Sequence, residues 1–110
     1  MSVKEQRIAL NEAIFREVNE KISRFPRSPY DTHGPIGFVC ECGDADCHEA
    51  LHLRVDAYEQ VRSDPNLFFV AADHADKDAE RVVERHDGYW VVEKIREGRE
   101  IAQNTDPRST

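Results

Sequence analysis

Apolar residues recur every fourth position along residues 2–25: Leu10, Ile14, Val18 and Ile22, with Phe15 and Phe25 widening the stripe. Asn11, Glu12, Arg16, Glu17, Asn19, Glu20 and Lys21 fill the positions between them. This is the period of an amphipathic helix. Ser2, followed three positions later by Glu5, has the form of a capping box, and Pro26 and Pro29 stop the helix. The apolar stripe is expected to cover a small sheet, with the polar positions in water. Dimerisation is the other use for such a stripe.

Beyond the helix the period shortens. Residues 26–35 are rich in Pro, Gly, Ser and Asp and read as a loop. Ile36 to Cys40 reads as a strand, and Leu51-His52-Leu53-Arg54-Val55 alternates as a half-buried strand does. Asp56 is the expected N-cap of a short helix, Ala57 to Arg62, which Ser63-Asp64-Pro65-Asn66 ends. Leu67 to Ala71 is a compact apolar run suited to a central strand. Residues 75–85 fit two patterns. Ala75, Ala79, Val82 and Val83 match a helical face. Arg81–Arg85 and Tyr89–Glu93 also match a β-hairpin around His86-Asp87-Gly88, pairing Val83 with Val91, Val82 with Val92 and Arg81 with Glu93. The hairpin is the preferred reading. The sum is an α+β fold: one N-terminal amphipathic helix on a small, mainly antiparallel sheet, with a zinc-knuckle-like loop. Residues 1–95 form one domain, and 96–110 are expected to be a flexible polar tail, frayed from Gln103 onward.

Composition narrows the class. The chain has 110 residues, enough for one hydrophobic core. Its 22 acidic against 15 basic residues leave a net charge of −7. Nucleic-acid binding, which needs clustered cations, is therefore not expected. No apolar run is long enough for a membrane span, and the first residues lack a secretory signal, so a cytoplasmic, soluble protein is expected.

All three cysteines fall within eight residues, Cys40-Glu41-Cys42-Gly43-Asp44-Ala45-Asp46-Cys47. An odd number cannot pair fully within one chain, and a reducing cytoplasm disfavours disulfides. Thiolates are soft ligands that suit zinc in tetrahedral sites. Cys40 and Cys42 lie two apart in a strand-like run and so share a face. Gly43 allows the chain to turn tightly, and Asp44 to Asp46 close a loop that returns Cys47. An iron–sulfur cluster wants a fourth cysteine, and C-x-C spacing suits dithiol redox chemistry poorly. Three buried small residues with no ligand remain the plain alternative.

The fourth ligand is open among the histidines. His48 adjoins Cys47, so the two side chains diverge. His52 lies on the polar face of its strand, His33 in the Pro-rich loop, and His86 at the hairpin turn. His74 follows the apolar run ending at Ala71. A strand beside the cysteine strand would bring its loop to the site. His74 is the leading choice, with His48, His52, His33 or water as alternatives.

Several segments together resemble a family of small bacterial proteins. They are Asn11–Glu20, Phe38-Val39-Cys40-Glu41-Cys42-Gly43, Tyr58–Pro65, Glu80–Arg85 and Val91–Lys94. The resemblance implies the same cysteine cluster and a histidine at the position of His74, there usually within Pro-Gly-His. Here Ala72-Asp73 replaces Pro-Gly. The position of His48 is often another polar residue in that family. The resemblance brings no activity with it.

Three thiolates and one histidine make a closed zinc (Zn2+) site and a poor Lewis acid, which leans structural, and a short chain gains from a metal staple. The expected function is a small zinc-binding protein with metal ligands Cys40, Cys42, Cys47 and His74, serving as a protein-binding or regulatory module with an acidic face. The alternative is a small zinc-dependent hydrolase with an open site and Glu41 or Glu49 as general base. No catalytic residue is assigned. Acids at Glu41, Asp44, Asp46 and Glu49 would repel phosphate at the loop. A protein partner is expected, and the pattern leaves its identity and the oligomeric state open.

Overall fold

In a computed structural model the described residues are 3–25, 34–76, 78–95 and 97–108. The elements are α1 (Val3–Arg24), β1 (Ile36–Val39), β2 (Ala50–Leu53), α2 (Val55–Arg62), β3 (Leu67–Val70), β4 (Glu80–His86), β5 (Tyr89–Lys94) and α3 (Glu97–Asn104). Strands β1 and β2 pair antiparallel, with Phe38 opposite Leu51. Strands β3, β5 and β4 form a second antiparallel sheet in that order. The fold is thus α+β, as expected. No described helix is long and apolar enough to cross a membrane. Ser2 of the expected capping box and the loop at 26–33, His33 included, lie outside the described residues.

The orientation of α1 is the main departure. Leu10, Ile14 and Val18 are 53, 59 and 39% exposed, while Arg16 and Asn19 are fully buried. Most of the face expected in water packs instead, although Glu17 and Lys21 stay exposed and Ile22 packs on the core as expected. Glu12, Arg16, Asn19, Glu20 and Ser23 lie inside, each with a partner waiting. Arg16 donates to the carbonyls of Pro65 (2.7 Å) and Ala102 (2.8 Å) and stacks on Phe68. Glu12 accepts from Lys94 at 2.6 Å, with Glu80 on the other side of the ammonium. Burial, reinforced by the Glu80 charge, pushes the Glu12 carboxyl well above the usual carboxylate range. Small Ala9 and Ala13 let the helix approach closely.

The expected polar tail departs too. Residues 97–104 form α3, which packs on α1 and buries Ala102. Past it, Arg108 bonds Glu20 at 2.6 Å and Glu59 at 2.8 Å. The polar composition of this segment answers the buried polar face of α1, which is why it reads as solvated in isolation.

The hairpin displaces the helical alternative for residues 80–85. Arg81 faces Glu93 and Val82 faces Val92, as expected. A bulge between Val82 and Glu84 then puts Glu84, not Val83, opposite Val91. The connection becomes the two-residue Asp87-Gly88 turn, with Gly88 at φ 89°. A two-residue turn and the upper register differ by one residue, and the bulge absorbs it. Helix α2 begins at Val55, one turn position before the expected cap; Asp56 sits in its first turn, where its charge favours the helix N-terminus. Strand β3 is not central in its ladder, yet it is buried. Its free edge is closed by Glu41, whose amide donates to the Phe69 carbonyl at 2.7 Å.

The core stacks Phe38 on Tyr58 at 4.5 Å and Tyr58 on Phe69 at 5.4 Å between ring centroids. The Arg62 guanidinium lies over the Tyr58 and Phe69 rings and pairs with Glu41, both fully buried.

These placements predict an inverted mutational pattern along α1. In urea unfolding, Leu10→Ala should change stability by no more than about 0.5 kcal/mol. Arg16→Ala should cost ~2–4 kcal/mol, because it strands buried carbonyls and opens a cavity. Equal costs at the two positions would refute the orientation of α1.

Candidate metal centre

The site grows from the end of β1. The Cys40 amide donates to the Glu49 carbonyl at 3.1 Å, so the β1–β2 ladder runs one step past the strand before the chain turns. The turn closes on itself: the Cys47 amide donates to the Asp44 carbonyl (3.1 Å), and the Asp46 amide to the Asp44 side chain (2.9 Å). Alternation of the backbone sends Cys40 and Cys42 to one side and Glu41 to the other. All three are buried.

The expected strand beside the cysteines is β3. It delivers the Ala71 amide to the Cys40 sulfur at 3.1 Å. Residues 71–74 then turn, with the His74 amide donating to the Ala71 carbonyl at 3.0 Å. Asp73 occupies the left-handed region at φ 69°. Aspartate tolerates that region better than most side chains, which lets the chain turn here without a glycine. The turn sets the His74 ring against the loop, with Nδ1 at 3.7 Å from Cys40 Sγ and 3.6 Å from Cys47 Sγ.

Cys40, Cys42, Cys47 and His74 thereby bring one donor atom each to within 4.8 Å of one another. Metal–sulfur bonds of ~2.3 Å and metal–nitrogen bonds of ~2.0 Å give tetrahedral edges of ~3.5 Å between S and N and ~3.8 Å between sulfurs. The observed Sγ···Nδ1 distances are close to the first value, and the group as a whole is compact enough that it could hold a metal ion. The other described histidines lie elsewhere. His48 and His52 are exposed. His86 bonds Glu84 at 2.7 Å and stacks on Tyr89.

Without a cation the thiols share protons. A hydrogen bond from Cys42 holds the Cys40 thiol below its usual pKa, helped by the Ala71 amide. The same bond, with burial, pushes Cys42 far up. Burial also raises Cys47. Three thiolates this close need a cation to ionise together, and its uptake must release protons.

The chain bends at Gly43 as expected, and close packing makes a second demand for glycine there: a Cβ would meet Ile8 Cγ2 at 2.2 Å and the Ile8 Cα at 3.0 Å. Asn11 of α1 also donates to the Gly43 carbonyl at 2.9 Å, so the helix rests directly on the knuckle. Glu41 is neither an available general base nor a surface charge. One oxygen bonds Arg62 and Asn19 (2.7 Å), the other accepts the Phe69 amide (3.0 Å). Asn19 further brackets Val39, taking its amide at 2.8 Å and donating to its carbonyl at 2.9 Å. The helical spacing of Asn11, Arg16 and Asn19 was the available signal, but periodicity does not say which face turns inward.

A cleft of ≈570 Å³ opens beside the site between Gly43, Asp44, Asp73 and His74. Comparison with protein families, curated proteins and solved structures finds no match to the chain.

Gly43→Ala should destabilise the fold by ~1–3 kcal/mol in denaturant unfolding, since helix backbone blocks the new methyl. His74→Ala should lower bound metal sharply and His48→Ala should not, as measured by elemental analysis after gel filtration. Because uptake displaces thiol protons, metal affinity should rise between about pH 6 and pH 8 and fall again on acidification, as read in competition titrations.

Proposed function

We propose that the chain is a small zinc protein whose Cys40, Cys42, Cys47 and His74 hold one Zn2+ in a structural site, and that it acts by binding another protein. One observation carries this reading: four soft or borderline donors from two distant segments converge to within 4.8 Å of one another, with His74 Nδ1 3.7 and 3.6 Å from two of the sulfurs. Four protein ligands fill the zinc sphere and leave no place for a reacting water, and three thiolates damp its Lewis acidity. The metal would tie the β1–β2 turn to the loop after β3, a useful clamp for a core of this size. A reducing cytoplasm would keep the thiols available for it.

The cleft beside His74 favours the second reading, a zinc hydrolase in which one ligand yields to water. Glu41 is lost to that reading because Arg62, Asn19 and Phe69 already engage it. Glu49 remains exposed, and its backbone amide is turned to the Cys47 sulfur.

Native protein should carry one equivalent of zinc, and Cys42→Ser well under one. EDTA should lower the melting temperature of the wild type but not of that variant. Cobalt substitution separates the two readings. An intense tetrahedral spectrum unchanged by added azide supports the closed site, and a spectrum that azide shifts supports the open one.

A further inference from the structure

Among the described residues, one face of α1 is exposed. Leu10, Ile14, Val18 and Phe25 form an outward stripe, with Phe25 71% exposed. At its C-terminal end a cleft of ≈490 Å³ opens between Val18, Ile22, Phe25 and Ile36. The polar face already secures the helix to the fold, so this stripe has no structural work to do. Contiguous apolar patches of a few hundred Å² mark interaction sites on proteins that otherwise stay monomeric.

Charge decides what fits. Arg7, Lys21 and the acid Glu17 are exposed along the stripe, a local excess of positive charge although the whole chain carries −7. A second copy that matches the whole apolar stripe fits badly: the antiparallel pairing centred on Ile14 sets Leu10 against Val18 but Arg7 against Lys21, and a parallel pairing sets each cation against itself, while a register shifted to put Arg7 against Glu17 leaves Val18 against Gln6. An anionic membrane would meet the acidic remainder of the molecule as well as this face. A single helix lying along α1 meets only the local charges, because more distant ones are screened beyond roughly 8–10 Å.

We propose that the outward face of α1 docks an amphipathic helix of a partner protein, its apolar stripe flanked by Asp or Glu. This deepens the reading of the chain as a binding module and rests on it, but not on the metal. Helix-in-groove docking of this kind uses anchors at the third-and-fourth spacing that the stripe itself displays.

The test uses the full chain and a labelled synthetic helix of about the length of α1. The peptide carries Leu along one face and Glu at the flanks, and a companion carries Lys in place of Glu. The acidic peptide should bind saturably, and the basic one at least ~10-fold more weakly. Ile14→Asp should weaken binding at least ~10-fold. The double variant Arg7→Glu, Lys21→Glu should reverse the preference between peptides. Circular dichroism and zinc content should stay at wild-type values in these variants, since the substituted side chains are exposed. Absent binding, or binding indifferent to Ile14→Asp or to the charge reversal, overturns the proposal. So does a wild-type dimer that Ile14→Asp splits in sedimentation, or preferential binding to anionic phospholipid vesicles. Peptide binding by protein that holds no zinc would sink the metal reading and leave this one standing.

Discussion

Glu41 holds a carboxylate in a place without water, and the rest of the chain is arranged to answer it. Burying such a charge costs several kcal/mol unless hydrogen bonds and a counter-charge replace the lost solvent. Here Arg62 from α2, Asn19 from α1 and the Phe69 amide from β3 all converge on its two oxygens. Three elements far apart in sequence are thus tied to one side chain. Phe38, Tyr58 and Phe69 wall the pair from solvent, and Tyr58 and Phe69 present their faces to the guanidinium. The aromatic stack and the ion pair depend on each other. Arg62 would be costly among those rings without Glu41, and Glu41 would be costly at the base of β1 without Arg62.

The position of Glu41 between Cys40 and Cys42 links this pair to the site. Backbone alternation makes the inward carboxylate and the two sulfurs opposite sides of one short segment. Fixing one side fixes the other. The same segment closes the edge of β3, which carries the chain onward to His74. The donor atoms are therefore placed by core interactions as well as by the knuckle. That is the preorganisation a metal site needs if binding is to cost little rearrangement. Helix α1 completes the arrangement from outside, with Ile8 and Asn11 against Gly43.

A helix that packs by its polar face has two consequences. Its buried side chains need specific partners, which Lys94, Glu41, Arg108 and the carbonyls of Pro65 and Ala102 supply. Buried polar contacts of this kind define one arrangement sharply, because any slip leaves a charge unanswered. The apolar residues, freed from the core, are then offered to the surroundings. A cysteine–histidine cluster that could hold a metal ion thus sits against the core, while an apolar helix face is turned outward.

What the residues determined by themselves was local. The period of α1, the alternation in β2, a hairpin turning at Gly88 and the crowding of three cysteines around Gly43 all follow from short-range geometry and chemistry, and each element stands close to where its pattern puts it. His74 was also legible, since an apolar strand run ending just before it implies a loop beside the cysteines. Tertiary structure decided the rest. Leu10, Ile14 and Val18 form as regular a stripe as Glu12, Arg16, Asn19 and Ser23, and helical periodicity alone cannot rank the two faces. The ranking came from partners at Glu41, Pro65, Lys94 and Ala102, tens of residues away. The same holds for the C-terminal segment, whose polar residues look solvated until the buried Glu20 and Arg16 claim them. Burial of a charge is a property of the pair and its surroundings, so no reading of one residue at a time could have found it.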